Sequence, residues 1–155
     1  ARTRQAGLGL SICLGDKSSI KKGKEIRGRY REEMIQKMQG LEKEGIERKD
    51  HIQYFYEDKK ERKGELAGLG MLYLFDQRFP SFGMSKVDGK VDISARGTKR
   101  MIEKGLDLGD LCRRIAGKHG GSGGGHDIAS GATVPQSEID SFLEDMDKEV
   151  GKILG

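Results

Sequence analysis

The stretch KHGGSGGGHDIASGATVP at residues 118–135 restricts the possible folds more than any other segment of the chain. Its first half resembles a flexible linker, whereas small and β-branched residues over 128–134 predict a short buried strand directly after it. Successive glycines leave backbone N–H groups uncovered, so that a glycine-rich loop at 120–125 can converge them on an anion. The alternative is a flexible surface loop that His126 follows by chance.

This glycine run follows a predicted helix C-terminus, where the helix dipole does not favour an anion. An anion bound here therefore needs backbone donors and nearby cations, for which Arg96, Lys118 and His126 are candidates. Two other glycine motifs lack the spacing that their functions require. Residues 15–19 do not match a P-loop, and the motif at 68–70 lacks the third glycine of a dinucleotide-binding fingerprint.

Apolar residues elsewhere predict several helices and strands. The predicted helices lie at 23–45, 64–76 and 106–118 and in the C-terminal segment from Ile139. Ser137 and Asp140 resemble the capping box that begins such a C-terminal helix. Aromatic and β-branched residues predict a strand at 51–58, and Asp88-Gly89 predicts a hairpin turn within 81–96. This order predicts an α/β fold, a mixed β-sheet flanked by helices, with a long N-terminal linker helix.

Charge and cysteine usage exclude few classes of function. The formal net charge is +4 and the sequence pI is about 9.0, which permits a polyanionic partner without requiring one. Basic side chains over 21–31 either follow a nucleic-acid backbone or form a solvated helix face. Cys13 and Cys112 fit no zinc spacing and indicate the reducing cytoplasm. No signal peptide, membrane span or metal-ligand pattern is present, so neither a membrane partner nor a metal in this chain is expected.

Three segments together match one family. GGSGGGHDIASGATV resembles the glycine–histidine motif of the C-terminal domain of DHH phosphoesterases, and KVDISARGT resembles the strand-and-arginine motif that precedes it. GLDLGDLCRRIAGKHGG is similar to the helix that joins these motifs. The resemblance covers about 51–155, and we assign 46–155 to this DHH-associated substrate-binding domain. Residues 1–45 resemble the link out of the catalytic lobe of archaeal RecJ-like single-strand exonucleases, so we expect a fragment of a larger protein.

The resemblance implies a two-lobed hydrolase in which the DHH lobe, outside this chain, binds two divalent metals, manganese or magnesium. It implies no cofactor in this fragment, which alone is expected to be inactive. Gly123, Gly124, Gly125 and His126 would approach the phosphate near the metals, and Arg96 would hold another phosphate. His126 would also act in catalysis by stabilising charge in the transition state. Ser130 stands where the family pattern leads us to expect alanine.

The function implied is metal-dependent hydrolysis of single-stranded nucleic acid from an end, with replication or repair proteins as further partners. Two alternatives stay open: a DHH-type small-nucleotide phosphatase or cyclic-dinucleotide phosphodiesterase, and a non-catalytic replication-associated relative of RecJ. Tyr54, Phe55 and Tyr56 could stack on bases if exposed, although a place in the core is the simpler interpretation of at least two of them. The sequence does not distinguish DNA from RNA.

Overall fold

The computed structural model describes residues 6–58 and 62–155, apart from the side chain of Glu44. Contacts within the chain divide it into two compact units, Ala1–Leu41 and Glu42–Gly155. The second unit contains the whole β-sheet and the residues of the candidate site. Within the described residues, no helix is both long and apolar enough to cross a bilayer.

The N-terminal part of the chain forms helices α1 (Ala6–Cys13) and α2 (Lys17–Glu44). The sequence patterns missed α1, and α2 begins before the predicted residue 23 because Asp16 caps it. The Asp16 carboxylate accepts hydrogen bonds from the Ser18 hydroxyl and the Ser19 amide, both at 2.7 Å. These hydrogen bonds lower the pKa of Asp16 to about 2. Gly45 has φ +79° and ends α2 as its sequence position predicts.

The described residues form one sheet of six strands: β1 (Glu47–Arg48), β2 (Gln53–Tyr56), β3 (Ser81–Val87), β4 (Lys90–Arg96), β5 (Ser122–Gly125) and β6 (Ala129–Pro135). Their order across the sheet is β1-β2-β3-β4-β6-β5. Strands β2 and β3 are parallel, and every other neighbouring pair among these six is antiparallel. This mixed sheet with flanking helices confirms the predicted fold class.

The predicted hairpin is formed by β3 and β4. Asp88 has φ +49° and Gly89 has φ +72°, which are the positive values that a two-residue hairpin turn requires. The register pairs Val87 with Lys90 at the turn and Ser81 with Arg96 at the other end of the sheet. The turn therefore places Arg96 at the end of the sheet where β3 begins.

In addition to the end of α2, the described part of the second unit contains the α-helices α3 (Lys63–Tyr73), α4 (Lys99–Glu103), α5 (Leu108–Lys118) and α6 (Ile139–Leu154). The carboxylate of Asp107 caps α5 by accepting a hydrogen bond from the Asp110 amide at 2.9 Å. The predicted capping box before α6 is wrong. A 3₁₀ turn over Gln136–Glu138 leads into the helix instead, and Glu138 occupies the N-cap position without a side-chain hydrogen bond.

The two faces of the sheet differ in what covers them. α5 and α6 pack on one face, where the alternating residues Val91, Ile93 and Ala95 of β4 are buried. α3 packs on the opposite face against β3 and β4. Because α3 covers only this part, the β6–β5 side of that face presents small and polar residues instead of core residues.

The predicted glycine-rich loop is mostly a strand. Ser122–Gly125 pairs with β6 along its whole length and forms the edge of the sheet. Glycine has low strand propensity, so pattern alone favours a loop. Pairing with β6 and the close approach of α5 determine the strand conformation, and only residues 119–121 connect α5 to β5 without regular pairing.

His119 connects the end of α5 to α6. Its two ring nitrogens lie 3.1 Å from Glu138 Oε2 and 2.9 Å from Asp145 Oδ2, and its ring meets Phe142 edge-on. Partial burial acts to lower the pKa of His119, but hydrogen bonds and negative charge from Asp145 and Glu138 outweigh burial and raise it.

We expect His119 to make the stability of the chain depend on pH. Because its pKa is raised in the folded state, its contribution is complete below the unfolded value of about 6.5 and is lost as the pH rises through the folded value. Urea unfolding of the wild type and of His119→Gln at pH 6 and pH 9 measures this. The free energy of unfolding of the wild type should exceed that of the variant by more at pH 6 than at pH 9. If this difference in free energy stayed constant or grew with pH, the stabilising role of protonated His119 would be contradicted.

Candidate functional site

The residues that the sequence singled out meet at one end of the sheet. Arg96 is the last residue of β4 and pairs with Ala129, the first residue of β6. The His126 amide donates to the Ala129 carbonyl at 3.0 Å, which continues the same row into the end of β5. Since neighbouring strands lie about 4.8 Å apart, the backbones of Arg96 and His126 are about 10 Å apart. Residues directly opposite share a face, so both side chains belong to the face that α3 covers only in part.

Close backbone packing explains two of the glycines. A Cβ on Gly123 would lie 2.4 Å from the carbonyl oxygen of Cys112 in α5. A Cβ on Gly109 would lie 2.6 Å from the carbonyl oxygen of Gly125. Both distances are shorter than non-bonded carbon and oxygen atoms can approach each other. α5 can therefore pack directly on β5 only because these positions have no side chain.

Gly124 differs from its neighbours. It has φ +149°, and a Cβ built there would meet nothing within 4 Å. Its conformation requires glycine, but no neighbouring group fills the space beside it. The middle of β5 thus exposes bare backbone at the edge of the sheet.

The strand conformation changes how the glycine amides can bind an anion. In an antiparallel edge strand, alternate N–H groups point towards the partner strand and away from it. The bond from His126 to Ala129 sets this alternation, so the amides of Gly123 and Gly125 point away from β6 and that of Gly124 points towards it. The three amides do not converge as a loop would allow, and the register directs two of them away from β6.

Ser130 has a role that the sequence did not reveal. Its buried hydroxyl donates to the Gly124 carbonyl at 2.7 Å and also contacts the Cys112 thiol. Burial raises the pKa of that thiol, and the hydrogen bond with Ser130 partly opposes the rise. The departure from alanine therefore adds a link between β5, β6 and α5. A serine at an inward-facing strand position was the only signal for it.

Arg96 is a half-buried cation. Its Nη1 donates to the carbonyl of Ala95 at 2.7 Å, and burial lowers its pKa. No carboxylate pairs with it within ranges 6–58 and 62–155. Gly64 makes room beside it, since a Cβ there would lie 3.0 Å from Arg96 Nη2. A guanidinium has five N–H donors in a planar fork, so donors remain for an anion.

His126 is exposed, and the turn that carries it is held on both sides. The Leu108 amide at the start of α5 donates to the Asp127 carbonyl at 3.0 Å. The Gly97 amide donates to the Ile128 carbonyl at 2.9 Å. The imidazole has no hydrogen-bond partner in the described part of the chain. The fold thus fixes the backbone of His126 while leaving both ring nitrogens accessible.

A buried ion pair lies beside Arg96 on the same face, and sequence reasoning missed it. Lys63 Nζ, at the start of α3, lies 2.8 Å from Asp92 Oδ2 and its side chain is 5% exposed. The Thr133 hydroxyl donates to Asp92 Oδ1 at 3.3 Å. This pair joins α3, β4 and β6 under the candidate site. Only an alternating Asp92-x-Ser94-x-Arg96 pattern in β4 could have indicated a polar face there.

The other sequence candidates have different surroundings. Phe55 is buried in the core, as expected. Tyr54 is partly buried and bonds to Glu47 at 2.9 Å; burial and this carboxylate raise its pKa to about 12. Tyr56 is 41% exposed, with the Lys86 ammonium 5.2 Å from its ring centre.

The basic residues over 21–31 are exposed along α2. In the part of the chain that the structure describes, no three His, Cys, Asp or Glu side chains could together hold a metal.

Known proteins resemble this chain both in sequence and in structure. An uncharacterized protein of Methanocaldococcus jannaschii is 32% identical over 147 residues, which is 95% of this chain and 32% of that protein. The chain thus spans about a third of this curated relative. RecJ of Thermus thermophilus, solved with Mn²⁺, superposes with a TM-score of 0.72 at 14% identity, covering 97% of this chain and 22% of RecJ.

Two further solved structures share the fold. The pGpG-specific phosphodiesterase PggH of Vibrio cholerae has a TM-score of 0.56 at 16% identity, with 97% of this chain and 53% of PggH covered. The C-Ala domain of Aquifex aeolicus alanyl-tRNA synthetase has a TM-score of 0.54 at 20% identity, with 72% of this chain and 99% of that domain covered. The model of the DHHA1 domain matches residues 51–152, which include all the candidate site residues. The chain therefore belongs to the DHHA1 domain family.

Proposed function

We propose that this chain is the substrate-binding part of a RecJ-like exonuclease that hydrolyses single-stranded nucleic acid from an end. The observation that carries the proposal is that Arg96 and His126 lie in one row across the sheet, on either side of Ala129. Arg96 is half-buried and has no carboxylate partner in the described residues, and His126 is exposed. Because their backbones are about 10 Å apart, the guanidinium and the imidazole can contact two phosphates of one strand. The exposed backbone of β5 lets a strand approach without side-chain obstruction.

Each residue has a separate role in this proposal. Arg96 holds one phosphate by parallel N–H bonds from its guanidinium fork. His126 and the outward amides of Gly123 and Gly125 hold the phosphate that reacts, and the imidazole stabilises charge that develops on its oxygens. The described residues of this chain do not fit a metal site. In this proposal two divalent metals, manganese or magnesium, would be held by a DHH lobe of the parent protein and would supply the activation of water.

Hydrolysis assays with the parent protein distinguish between a polymeric and a small-nucleotide substrate. The likeness to PggH favours a second candidate, hydrolysis of small nucleotides, because PggH is described as pGpG-specific. Hydrolysis of a labelled single-stranded oligonucleotide should persist in the presence of excess pGpG, whereas a dinucleotide enzyme would be inhibited. Duplex of the same sequence should be cleaved poorly. A parent without activity on either substrate would identify a non-catalytic relative, and the repair and replication role would then be one of binding alone.

Binding by the chain alone tests the role of Arg96. We expect the 155-residue chain to bind single strands weakly, with log K falling by about 0.7 per phosphate contact for each unit of log salt. Arg96→Gln should weaken binding and reduce this slope by about 0.7, whereas Lys90→Gln at the hairpin turn should not. Fluorescence anisotropy over a salt series measures both. An unchanged slope for Arg96→Gln would show that Arg96 does not contact phosphate.

A further inference from the structure

A cavity of about 410 Å³ lies at the same end of the sheet as Arg96 and His126, on the β2 side. It is enclosed by the segments that precede β2 and β3, by α4 and by the end of α6. Its volume is in the range of pockets that hold small ligands, and that of one nucleotide falls within this range. The candidate site described above involves none of its lining residues.

The walls of the cavity combine cations with apolar surface. Phe79, Met101 and Leu154 supply the apolar part, and Arg78, Arg100 and Lys104 supply the cations. The described residues that line it include no aspartate or glutamate. This composition suits a ligand that has both a flat apolar group and an anionic group.

The three cations differ in how strongly they are already paired. Asp76 engages Arg78 through two oxygens, the closer at 2.7 Å, and the guanidinium lies 5.5 Å from the ring centre of Phe79. Arg100 pairs with no carboxylate among residues 6–58 and 62–155. Among the described residues, the Lys104 ammonium donates to the Leu154 carbonyl alone, at 3.4 Å. Arg100 belongs to α4 and Lys104 is the C-cap residue of that helix. Because both residues line the cavity, they can bind one anion there.

The path of the chain relates this cavity to the candidate site. Thr98 lines the cavity two residues after Arg96, and Arg100 follows four residues after Arg96. Four residues span at most about 14 Å, so the two arginines lie within reach of one short segment of nucleic acid. The cavity could therefore hold a second nucleotide of the same strand.

We propose that this cavity is a nucleoside-phosphate subsite. Arg100 and Lys104 bind the phosphate, and Phe79, with Arg78 stacked on it, supports the base. If the subsite is a second contact for the nucleic-acid strand that Arg96 holds, it rests on the proposed function. If it binds a free nucleotide, it is independent of the proposed function.

The test compares two double variants that each remove two positive charges. Anisotropy of a labelled oligothymidylate is measured with the 155-residue chain carrying Arg100→Gln and Lys104→Gln, and with Lys86→Gln and Lys90→Gln at the hairpin end as control. We expect the cavity variant to raise Kd about tenfold and to lower the salt slope by about 1.4, the value for two phosphate contacts. The control should change Kd by less than about twofold. Equal losses in the two variants, or none in the cavity variant, would overturn the subsite.

A second arm separates the two sources of the ligand. Thymidine monophosphate is titrated into the chain while the backbone amide signals of Thr98 and Met101 are followed by NMR. If the signals of the unsubstituted chain shift to saturation, and the double variant Arg100→Gln with Lys104→Gln shows no shift, the subsite binds nucleotides in general. If the unsubstituted chain shows no such shifts but the double variant loses oligonucleotide binding, the subsite binds only nucleic-acid polymer. Failure of the chain to bind either ligand overturns the subsite, whereas the role of His126 is tested separately by kcat of the parent protein.

Discussion

Replacing His126 with alanine in the intact parent protein is expected to lower kcat about 100-fold or more. The imidazole is exposed on a turn whose backbone is held by hydrogen bonds to Leu108 and Gly97, so its removal leaves no buried cavity and breaks no hydrogen bond or ion pair among residues 6–58 and 62–155. The loss therefore comes from transition-state stabilisation, and removal of one such donor usually costs 10²–10³-fold in kcat. Single-turnover hydrolysis of a labelled single strand measures the effect.

Two comparisons make this result specific. Gln136→Ala, on an exposed side chain just after β6 at the opposite end of the sheet, should leave both kcat and kcat/KM unchanged. Thermal unfolding should give the same Tm for His126→Ala and the wild type. A rise in KM with kcat preserved would assign His126 to ground-state binding alone. Activity equal to wild type in both parameters would remove it from the site.

Gly123→Ala is expected to destabilise the chain by about 3 kcal/mol, the upper part of the range for overpacked sites. The new Cβ would lie 2.4 Å from the Cys112 carbonyl oxygen and 3.1 Å from that of Gly131. Both contacts are with backbone, so no side-chain rotation can relieve them, and α5 must move away from β5. For a chain of this size the change corresponds to a fall in Tm of about 6–12 °C.

Gly117→Ala is the matched control, because it adds the same methyl group on the exposed side of α5. A Cβ there meets nothing within 4 Å, and alanine has the higher helix propensity. This variant should be as stable as the wild type or more stable by up to about 1 kcal/mol. If Gly123→Ala unfolded at the same temperature as Gly117→Ala, close packing would not be the reason for glycine at position 123.

Local pattern predicted most of the elements in this chain. The Asp88-Gly89 turn and the apolar stripes of α5 and α6 are visible in sequence because short-range sterics and burial on one face leave a periodic trace. The capping box at Ser137 was wrong, because a 3₁₀ turn took the place of the cap. β5 was not recognised as a strand because glycine leaves no such trace and its pairing partner decides its conformation.

The sequence proposes residues for the candidate site but does not indicate their geometry. Arg96 and His126 were identified through motifs, and nothing in their sequence separation of thirty positions indicates that Ala129 joins them in one row. The ion pair of Lys63 with Asp92 and the bond from Ser130 to Gly124 depend on contacts between distant segments. Local pattern cannot encode such contacts, since the partners lie in different elements.

By itself, the sequence determined the α/β class, the hairpin at Asp88-Gly89 and the absence of side chains over 123–125. Only the tertiary structure showed which structural roles the three glycines have. The register of β5 on β6 aims two amides outward, and the contact of Gly123 with Cys112 brings α5 against the strand. The physical reason is that a glycine restricts nothing on its own, so its conformation and its function are set by the elements that pack against it.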